Sequence, residues 1–513
     1  MSDLMRNRWV VTLAIIVGVL LEVIDSTVVN VALHDIIGSM GATLSDASWV
    51  VSGYTLANAI VLPISGWLGA RFGSKRYFFV SIALFTIFSI LCGLSTNLGE
   101  LVTFRILQGL AGGGLLSTGQ ALLIGAWPKE QMGTAMAVFG IGIMFGPAIG
   151  PTLGGMILTH LSWSWIFFIN VPVGIAAGLL VLFSVRPDRK SAEAQPVDWW
   201  GIALLAVAIG SLQFVVEKGQ SENWFQTSYI AILSGMSLMA SLAFIWREVS
   251  IAHPVVDLSM LASRNFSLGT IGTFFLGLVL QGSMIAMPLY CQNVLGCSAL
   301  QAGQLMLPGA MASMSGSFAA GFFSKKNVSG GIQVCAGTFL VFVSIFRMGG
   351  ATIQADAGFF YVPMILMGFG RSLIFVPLTT RAMLGLQGSE IGQASGINSL
   401  ARQLGGSMGV AVFATALETL GSTFSSVLTE NCSLSNPVFL ERFQAMGGDV
   451  ASVASGSGLT ILRLLSSGAS LQAQVLAFNR IFQVAAVLSF VVLPLFLLMR
   501  SEQVRLQPKS SQG

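Results

Sequence analysis

Residues 9–33 read WVVTLAIIVGVLLEVIDSTVVNVAL, an apolar run whose only charges are Glu22 and Asp25. About 20 mainly apolar residues cross the hydrocarbon core of a bilayer, so this run predicts a membrane-spanning helix. It extends too far for the apolar region of a cleavable leader and reads instead as a signal anchor. Two acids spaced i, i+3 share one helical face. A charge at the bilayer centre costs about 2.5–3.5 kcal/mol on insertion scales, which directs that face to the protein interior and to a partner.

The rest of the chain has the same character. Of 513 residues, 54% are hydrophobic and only 9% are charged, with mean hydropathy +0.81. A soluble domain carries roughly 25% charged residues, so this inventory cannot clothe a water-facing surface. The 59 glycines suit helices whose backbones approach closely in lipid. The five cysteines (Cys92, Cys291, Cys297, Cys335, Cys432) form no metal-ligand spacing, although Cys291 and Cys297 are close enough to raise a disulfide. His34, His160 and His253 are scattered. No metal site, cofactor site, nucleotide-binding loop or nucleophile–base pair is expected, and a net charge of +4 reads as topology signal rather than as nucleic-acid binding.

Measured along the whole chain, the same length criterion predicts about fourteen spans. They fall at roughly 9–33, 47–69, 77–96, 101–125, 132–158, 164–185, 199–216, 227–246, 266–290, 300–323, 332–349, 357–380, 393–418 and 479–499. Basic residues follow every second span: Arg71, Lys75 and Arg76, then Lys129, Arg186, Arg189, Lys190, Arg247, Arg264, Lys325, Lys326, Arg381, Arg500, Arg505 and Lys509. Arg6 and Arg8 precede the first. That side is expected to be cytoplasmic, with both termini inside. Polar connections at 186–198 and 247–264 divide the chain 6 + 2 + 6: a six-helix bundle over 1–190, a central two-helix hairpin over 191–262, and a second six-helix bundle over 263–513. The last carries a long outer loop at about 421–478, partly helical over 459–475, and a short cytoplasmic tail. Two bundles with an inserted hairpin are the organisation of a secondary transporter.

Five ionisable groups fall inside the predicted spans: Glu22, Asp25, Arg105, Arg371 and Arg402. The first span enters from the cytoplasm and the fourth from outside, so Asp25 and Arg105 come to similar depth. Desolvation raises a carboxylate pKa and a neighbouring Arg lowers it, the competition that a proton-coupled site needs. A static ion pair joining the two helices is the alternative reading. Asn30, Gln108, Gln120 and Arg402 are candidate lining residues of a substrate pathway; such polar groups also serve as interhelical glue. Arg371 lies nearer a helix end, where it can snorkel.

Several segments also resemble a known family. Gly66-Trp-Leu-Gly-Ala-Arg71-Phe-Gly73-Ser-Lys75-Arg76 resembles the cytoplasmic loop signature of the major facilitator superfamily. Arg105-Ile-Leu-Gln108-Gly109 is similar to its R-x-x-q-G motif, which is associated with proton coupling. Gly142, followed by Gly146-Pro147-Ala-Ile-Gly150-Pro151-Thr-Leu-Gly154-Gly155, resembles the G-P-x-x-G-P-x-x-G-G motif of drug:proton antiporters. The runs Asp25 to Leu33 and Asn398-Ser-Leu-Ala-Arg402-Gln403-Leu-Gly405-Gly406 resemble motifs of the fourteen-helix, EmrB/QacA-like branch. The likeness covers almost the whole chain. It departs at Ala70, where the signature has Asp, at His34, where the first run ends in Pro, and at the degenerate Gly321-Phe-Phe-Ser-Lys325-Lys326.

The resemblance implies an all-α integral membrane protein, not an enzyme, that exports lipophilic drugs or toxic small molecules across a bacterial inner membrane. It would work by alternating access, driven by a proton gradient and without a cofactor. Asp25 would carry the proton, aided by Glu22, and Arg105 would link protonation to movement. The helix 5 glycines and prolines would gate, and Arg71, Lys75 and Arg76 would latch the bundles. The scarcity of membrane carboxylates points to neutral or monovalent substrates rather than dications. Relatives of this kind in double-membrane bacteria work with a periplasmic adaptor and an outer-membrane channel. A narrow-cargo exporter of a siderophore, amino acid or metabolite is an alternative, and a non-transporting sensor on the same fold is a further one.

Overall fold

A computed structural model describes residues 7–128, 131–186, 197–251, 254–326, 328–386, 389–430, 436–446 and 457–499. Expectations resting on Arg6, Lys129, Arg189, Lys190, His253, Cys432, Arg500, Arg505 and Lys509, and on the side chains of His34, Pro147 and Pro151, lie outside the described residues.

Within them the regular structure is helical. The first group comprises α1 (Arg8–Met40), α2 (Trp49–Phe72), α3 (Ser74–Leu94), α4 (Leu98–Gly112), α5 (Leu115–Ala126), α6 (Met132–His160), α7 (Trp165–Phe168) and α8 (Asn170–Ser184). A hairpin follows, α9 (Trp199–Lys218) and α10 (Ser228–Ser250). Then come α11 (Arg264–Asn293), α12 (Ala299–Lys325), α13 (Gly330–Met348), α14 (Gly358–Ala382), α15 (Ser389–Glu430), α16 (Pro437–Ala445), α17 (Ser457–Leu488) and α18 (Val492–Leu498). Among the described residues, 11 helices are long and apolar enough to cross a membrane. The three further expected spans coincide with α4–α5, α6 and α12. Of these, α4–α5 is divided by a turn at Gly113 and Gly114, so neither piece alone has the length.

Helix ends follow local chemistry. Asn7 caps α1 by accepting from the Trp9 amide, and Gly41, at φ 61°, closes it in the left-handed conformation. Asn97 caps α4, and Ser298 with Gln301 forms a reciprocal capping box on α12. The expected outer loop at about 421–478 differs most. There α15 continues to Glu430, and the helical stretch expected over 459–475 is present but is continuous with the following span, as α17 from Ser457. The stretch from Ile461 to Val475 is rich in Leu and Ser and contains no Pro, so nothing stops the helix at the membrane surface.

Helix α1 packs on α5, α6 and α8, while α2 and α3 pack on α4. In the second group α11 packs on α15, α14 packs on α12 and α13, and α17 lies on α15. Two seams join the groups, α2 against α15 and α6 against α12. At the first, a β-carbon on Gly66 would collide with the backbone of Gln393, and one on Gly396 would sit 2.6 Å from the Leu62 carbonyl oxygen. At the second, Gly133 meets Ser324 and Gly321 meets Ala137. Only glycine permits such approaches, and lipid supplies no hydrophobic force that would compensate for a gap.

The hairpin helix α9 lies against α2 and α15. Its start is fixed by Asp198, whose Oδ1 accepts from the Gly201 amide at 3.0 Å and from Arg247 of α10 at 2.6 Å through Nη2. Arg247 Nε also donates to both carboxylate oxygens at 2.9 Å. Hydrogen bonding to Arg247 holds the Asp198 carboxyl below the usual carboxylate range. Its stabilising effect is therefore complete above the ordinary aspartate pKa of about 3.9 and is lost as pH falls below it. Asn keeps the cap, so Asp198→Asn is expected to destabilise the protein only by the loss of the ion pair with Arg247, about 0.5–1 kcal/mol at neutral pH. Thermal unfolding in detergent should show that difference shrinking as pH is lowered through the acid range.

Candidate functional site

Asp25 is 1% exposed and sits at the centre of the first helix group. Arg105 Nη1 of α4 donates to Asp25 Oδ2 at 2.5 Å. Gln108 Nε2 donates to Oδ1 at 3.2 Å, and Asn170 Nδ2 of α8 donates to the same oxygen at 2.8 Å. Three donors from two neighbouring helices thus converge on one carboxylate. The 105–108 spacing puts Arg and Gln on the same α4 face, one turn apart, and Arg105 Nη1 also donates to Gln108 Oε1 at 2.7 Å.

The outer ring of contacts orients this set. Arg105 Nε donates to the Val50 carbonyl at 3.0 Å, and the guanidinium lies 4.2 Å from the Tyr54 ring centroid. Asn170 also donates to Ser89 Oγ at 3.0 Å, and Ser89 donates to the Phe167 carbonyl. An ionised carboxylate only accepts hydrogen bonds, whereas a protonated one carries a donor of its own. Proton uptake at Asp25 therefore places a donor among three donors. The new donor would need an acceptor, which Arg105 Nη1 and Asn170 Nδ2 do not supply, so the hydrogen bonding that joins α1 to α4 and α8 cannot be the same in the two charge states.

Glu22, one turn earlier, is held differently. Its Oε1 accepts from Asn58 Nδ2 of α2 at 2.8 Å, and its Oε2 accepts from the Leu116 amide at 3.1 Å. Leu116 is in the first turn of α5, whose amides lack intrahelical acceptors because the Gly113–Gly114 turn interrupts the helix. The positive end of α5 thus stabilises this carboxylate. Arg402 of α15 lies within electrostatic reach of Glu22 across the seam.

The antiporter-motif glycines face this same helix. A β-carbon on Gly142 would press on Ile16, on Gly146 it would overlap Val23, and on Gly150 it would overlap Thr27; on Gly154 it would crowd Val28 and Val31. The four-residue repeat makes a smooth stripe on α6 that grips α1 along the turns carrying Glu22 and Asp25. Gly155 belongs to the same helix.

The remaining expected residues are dispersed. Gln120 is buried and points its amide to Met136 Sδ at 3.7 Å. Asn30 is exposed and donates to the Ser26 carbonyl. In the loop motif, Gly66 makes the seam contact, Gly73 ends α2 at φ 89°, and Arg71 stacks near Trp67 at 5.4 Å. Lys75 Nζ donates to the Leu182 carbonyl at 2.8 Å, tying α3 to α8 within its own group, and Arg76 is exposed. Asn58, Ser89 and Asn170 were not singled out by sequence reading. A lone Asn in an otherwise apolar span was the signal for Asn58 and Asn170.

A polytopic helical protein with two seamed helix groups and a buried, multiply hydrogen-bonded carboxylate has the architecture of a secondary transporter. The family model described as Major Facilitator Superfamily matches residues 15–410. The chain belongs to that superfamily, in its EmrB/QacA-like branch. It is 34% identical to Multidrug export protein EmrB of Haemophilus influenzae, with 85% of each chain covered. It is 31% identical to Multidrug export protein EmrB of Escherichia coli K12, covering 95% of this chain and 94% of that one. Fatty acid resistance protein FarB of Neisseria gonorrhoeae is also 31% identical, with 94% of each covered. Among solved structures, the proton:xylose symporter XylE shares the fold with TM-score 0.59 at 13% identity, each chain covered to 94%.

The geometry predicts non-additive substitutions. Asp25→Asn leaves Arg105 buried without its counter-ion, at a cost of about 3–5 kcal/mol. Asp25→Asn with Arg105→Gln removes both charges and should unfold at a temperature closer to wild type than either single variant. A double-mutant cycle by thermal unfolding checks this. On α6, Gly150→Val should cost about 1–3 kcal/mol by overpacking against Thr27. Gly125→Ala, where nothing lies within 4 Å, should be neutral in the same assay.

Proposed function

We propose that this protein is a proton-coupled exporter of lipophilic small molecules that works by alternating access. The observation that carries the reading is Asp25. It is a buried carboxylate whose hydrogen bonding must change when it takes a proton, on the helix that the α6 glycine stripe grips. Protonation would then change the fit between α1 and α6, and α6 also forms a seam with α12. A local charge change is thereby conveyed to the contact between the helix groups. The family membership and the multidrug export names of its relatives support the same direction of transport.

In this reading the chain has fourteen spans arranged 6 + 2 + 6, with α4–α5, α6 and α12 completing the count. Both termini face the cytoplasm, and the membrane is a bacterial inner membrane. The end bearing Gly66, Lys75, Gly133, Lys325 and Gln393 is then cytoplasmic, and the glycine contacts there close the path to that side. Asp25 is the proton carrier, Arg105 and Gln108 its switching partners, and Glu22 the auxiliary acid; Arg402 and Asn30 contribute to the pathway. A proton gradient supplies the energy, and no cofactor takes part. A periplasmic adaptor and an outer-membrane channel complete the export route.

The test uses inverted membrane vesicles with an imposed pH gradient, interior acid, and several lipophilic dyes. Wild type should accumulate dye and lose accumulation when the gradient is collapsed. Asp25→Asn should abolish gradient-driven accumulation while retaining a monodisperse profile in detergent. Survival of transport in Asp25→Asn would move the proton site to Glu22. Absence of dye movement in wild type would overturn multidrug export in favour of a narrow cargo.

A further inference from the structure

The hairpin carries a carboxylate that the site around Asp25 does not use. Glu217 stands at the end of α9, where that helix lies against α2 of the first helix group and α15 of the second. Gln213, one turn earlier and 0% exposed, donates from Nε2 to Glu217 Oε1 at 2.9 Å and to Ser407 Oγ of α15 at 2.7 Å. The Ser52 hydroxyl of α2 interacts with the same carboxylate. Two acceptor atoms are left over, for Glu217 Oε2 and Gln213 Oε1 are both buried with no hydrogen-bond partner.

A buried acceptor without a donor is costly, and more so when it belongs to an ionised group. A primary amide and a neutral carboxylic acid can satisfy each other through a ring of two hydrogen bonds. In that ring the amide N–H donates to one acid oxygen, and the acid O–H donates to the amide oxygen. The first of these bonds is present between Gln213 and Glu217. The two bare atoms are the two that the second bond would join, and one proton taken from water onto Oε2 supplies it. In the ionised state both oxygens are acceptors only, so neither can satisfy the other.

The charged groups nearby do not match the carboxylate in another way. Lys218 acts on it electrostatically, but its ammonium donates to Ser48 Oγ and lies 5.7 Å from the Trp49 ring centroid. On α15, Glu418 accepts from Gln220 at 2.6 Å, and Arg402 interacts with Glu22. Glu222, in the turn beyond α9, interacts with Tyr229 of α10. Helix α2 carries no charge before Arg71, at its opposite end. The two ion pairs among the described residues are Asp25–Arg105 and Asp198–Arg247, so Glu217 is in neither.

We infer that Glu217 is a further proton-binding site, separate from Asp25 and Glu22, and that its proton closes the ring with Gln213. The side chains bonded to this ring, Ser52 and Ser407, stand on the two sides of the α2–α15 seam. The hairpin is tied to both sides at the same end, through Lys218 to Ser48, Gln220 to Glu418 and Trp224 Nε1 to Thr415 Oγ1 at 3.2 Å. A proton on Glu217 therefore strengthens a strap across one end of the seam. Its part in transport rests on the exporter reading; the proton site itself does not.

The experiment is infrared spectroscopy of the full chain in lipid nanodiscs at neutral pH, where a protonated carboxyl absorbs apart from a carboxylate. The spectrum of wild type minus that of Glu217→Gln is expected to show a protonated-carboxyl band. Gln213→Met, which removes both hydrogen bonds of the ring, should move that band or abolish it. Glu217→Gln keeps a donor for Gln213 Oε1; should it nevertheless fail to fold, the change caused by Gln213→Met decides alone. Identical carboxyl regions in wild type and folded Glu217→Gln would overturn the proposal, as would a band that Gln213→Met leaves unmoved. Gradient-driven dye export by a wild type without the band would sink this site and leave the exporter reading intact. The band in a protein that moves no dye would keep the site and remove the exporter reading.

Discussion

A carboxylate in hydrocarbon cannot be solvated by water, and the structure is organised around that constraint at Asp25. The desolvation cost is offset only if hydrogen-bond donors arrive with good geometry on every face of the group. Arg105, Gln108 and Asn170 do so, which requires α4 and α8 to bring their polar residues to the depth of Asp25 on α1. The Asn170–Ser89–Phe167 chain and the Val50 carbonyl then fix the donors themselves. Glu22, three residues away, meets the same constraint with a helix terminus and an amide. One acid is neutralised by a cation, and the other is held by a side-chain amide and a helix N-terminus.

Polar groups satisfied in this way leave the rest of the helix surfaces apolar, and lipid offers those surfaces no hydrophobic reason to associate. Close van der Waals approach must do so, which explains where glycine falls. It lines α6 where α1 crosses, it stands at Gly66 and Gly396 where α2 meets α15, and it recurs at Gly133 and Gly321 on the other seam. These contacts are made largely by apolar side chains and backbone against glycine, so parting the helices there breaks few polar bonds. The tight glycine seams between the groups and the fixed polar cluster within the first are complementary demands on one sequence.

Much of this was legible beforehand, for identifiable reasons. Span length and the alternation of basic residues act on windows of some twenty residues, and the spans at α1–α3, α9–α11 and α13–α14 follow from them. The pairing of Asp25 with Arg105 follows from depth alone, since two opposite charges in lipid have few alternatives. What the sequence concealed is local. The interruption at Gly113–Gly114 looks like any small-residue stretch, yet it creates the free amide that binds Glu22. Asn170 is a single polar residue in an apolar run, and only the fold brings it to Asp25. The extension of α15 to Glu430, and the continuity of the expected 459–475 helix with the last span, were hidden because hydropathy marks where lipid ends and not where a helix does.

The distribution of charge between the two helix groups carries the last step. In the first group both acids are matched by donors and the cation by an acid. In the second, Arg371 and Arg402 are half-buried, and neither is in an ion pair with a carboxylate of its own group among the described residues. Arg402 has an electrostatic interaction with Glu22, across the seam. Electrostatic attraction therefore acts between the groups and depends on the ionisation of an acid on α1. In the exporter reading proposed above, loss of the Glu22 charge would weaken the attraction at the α2–α15 seam, and a proton on Asp25 would change the hydrogen bonding that joins α1 to α4 and α8. One helix would then convey protonation both inward, to its own group, and outward, to the facing group, which is the coupling that alternating access requires.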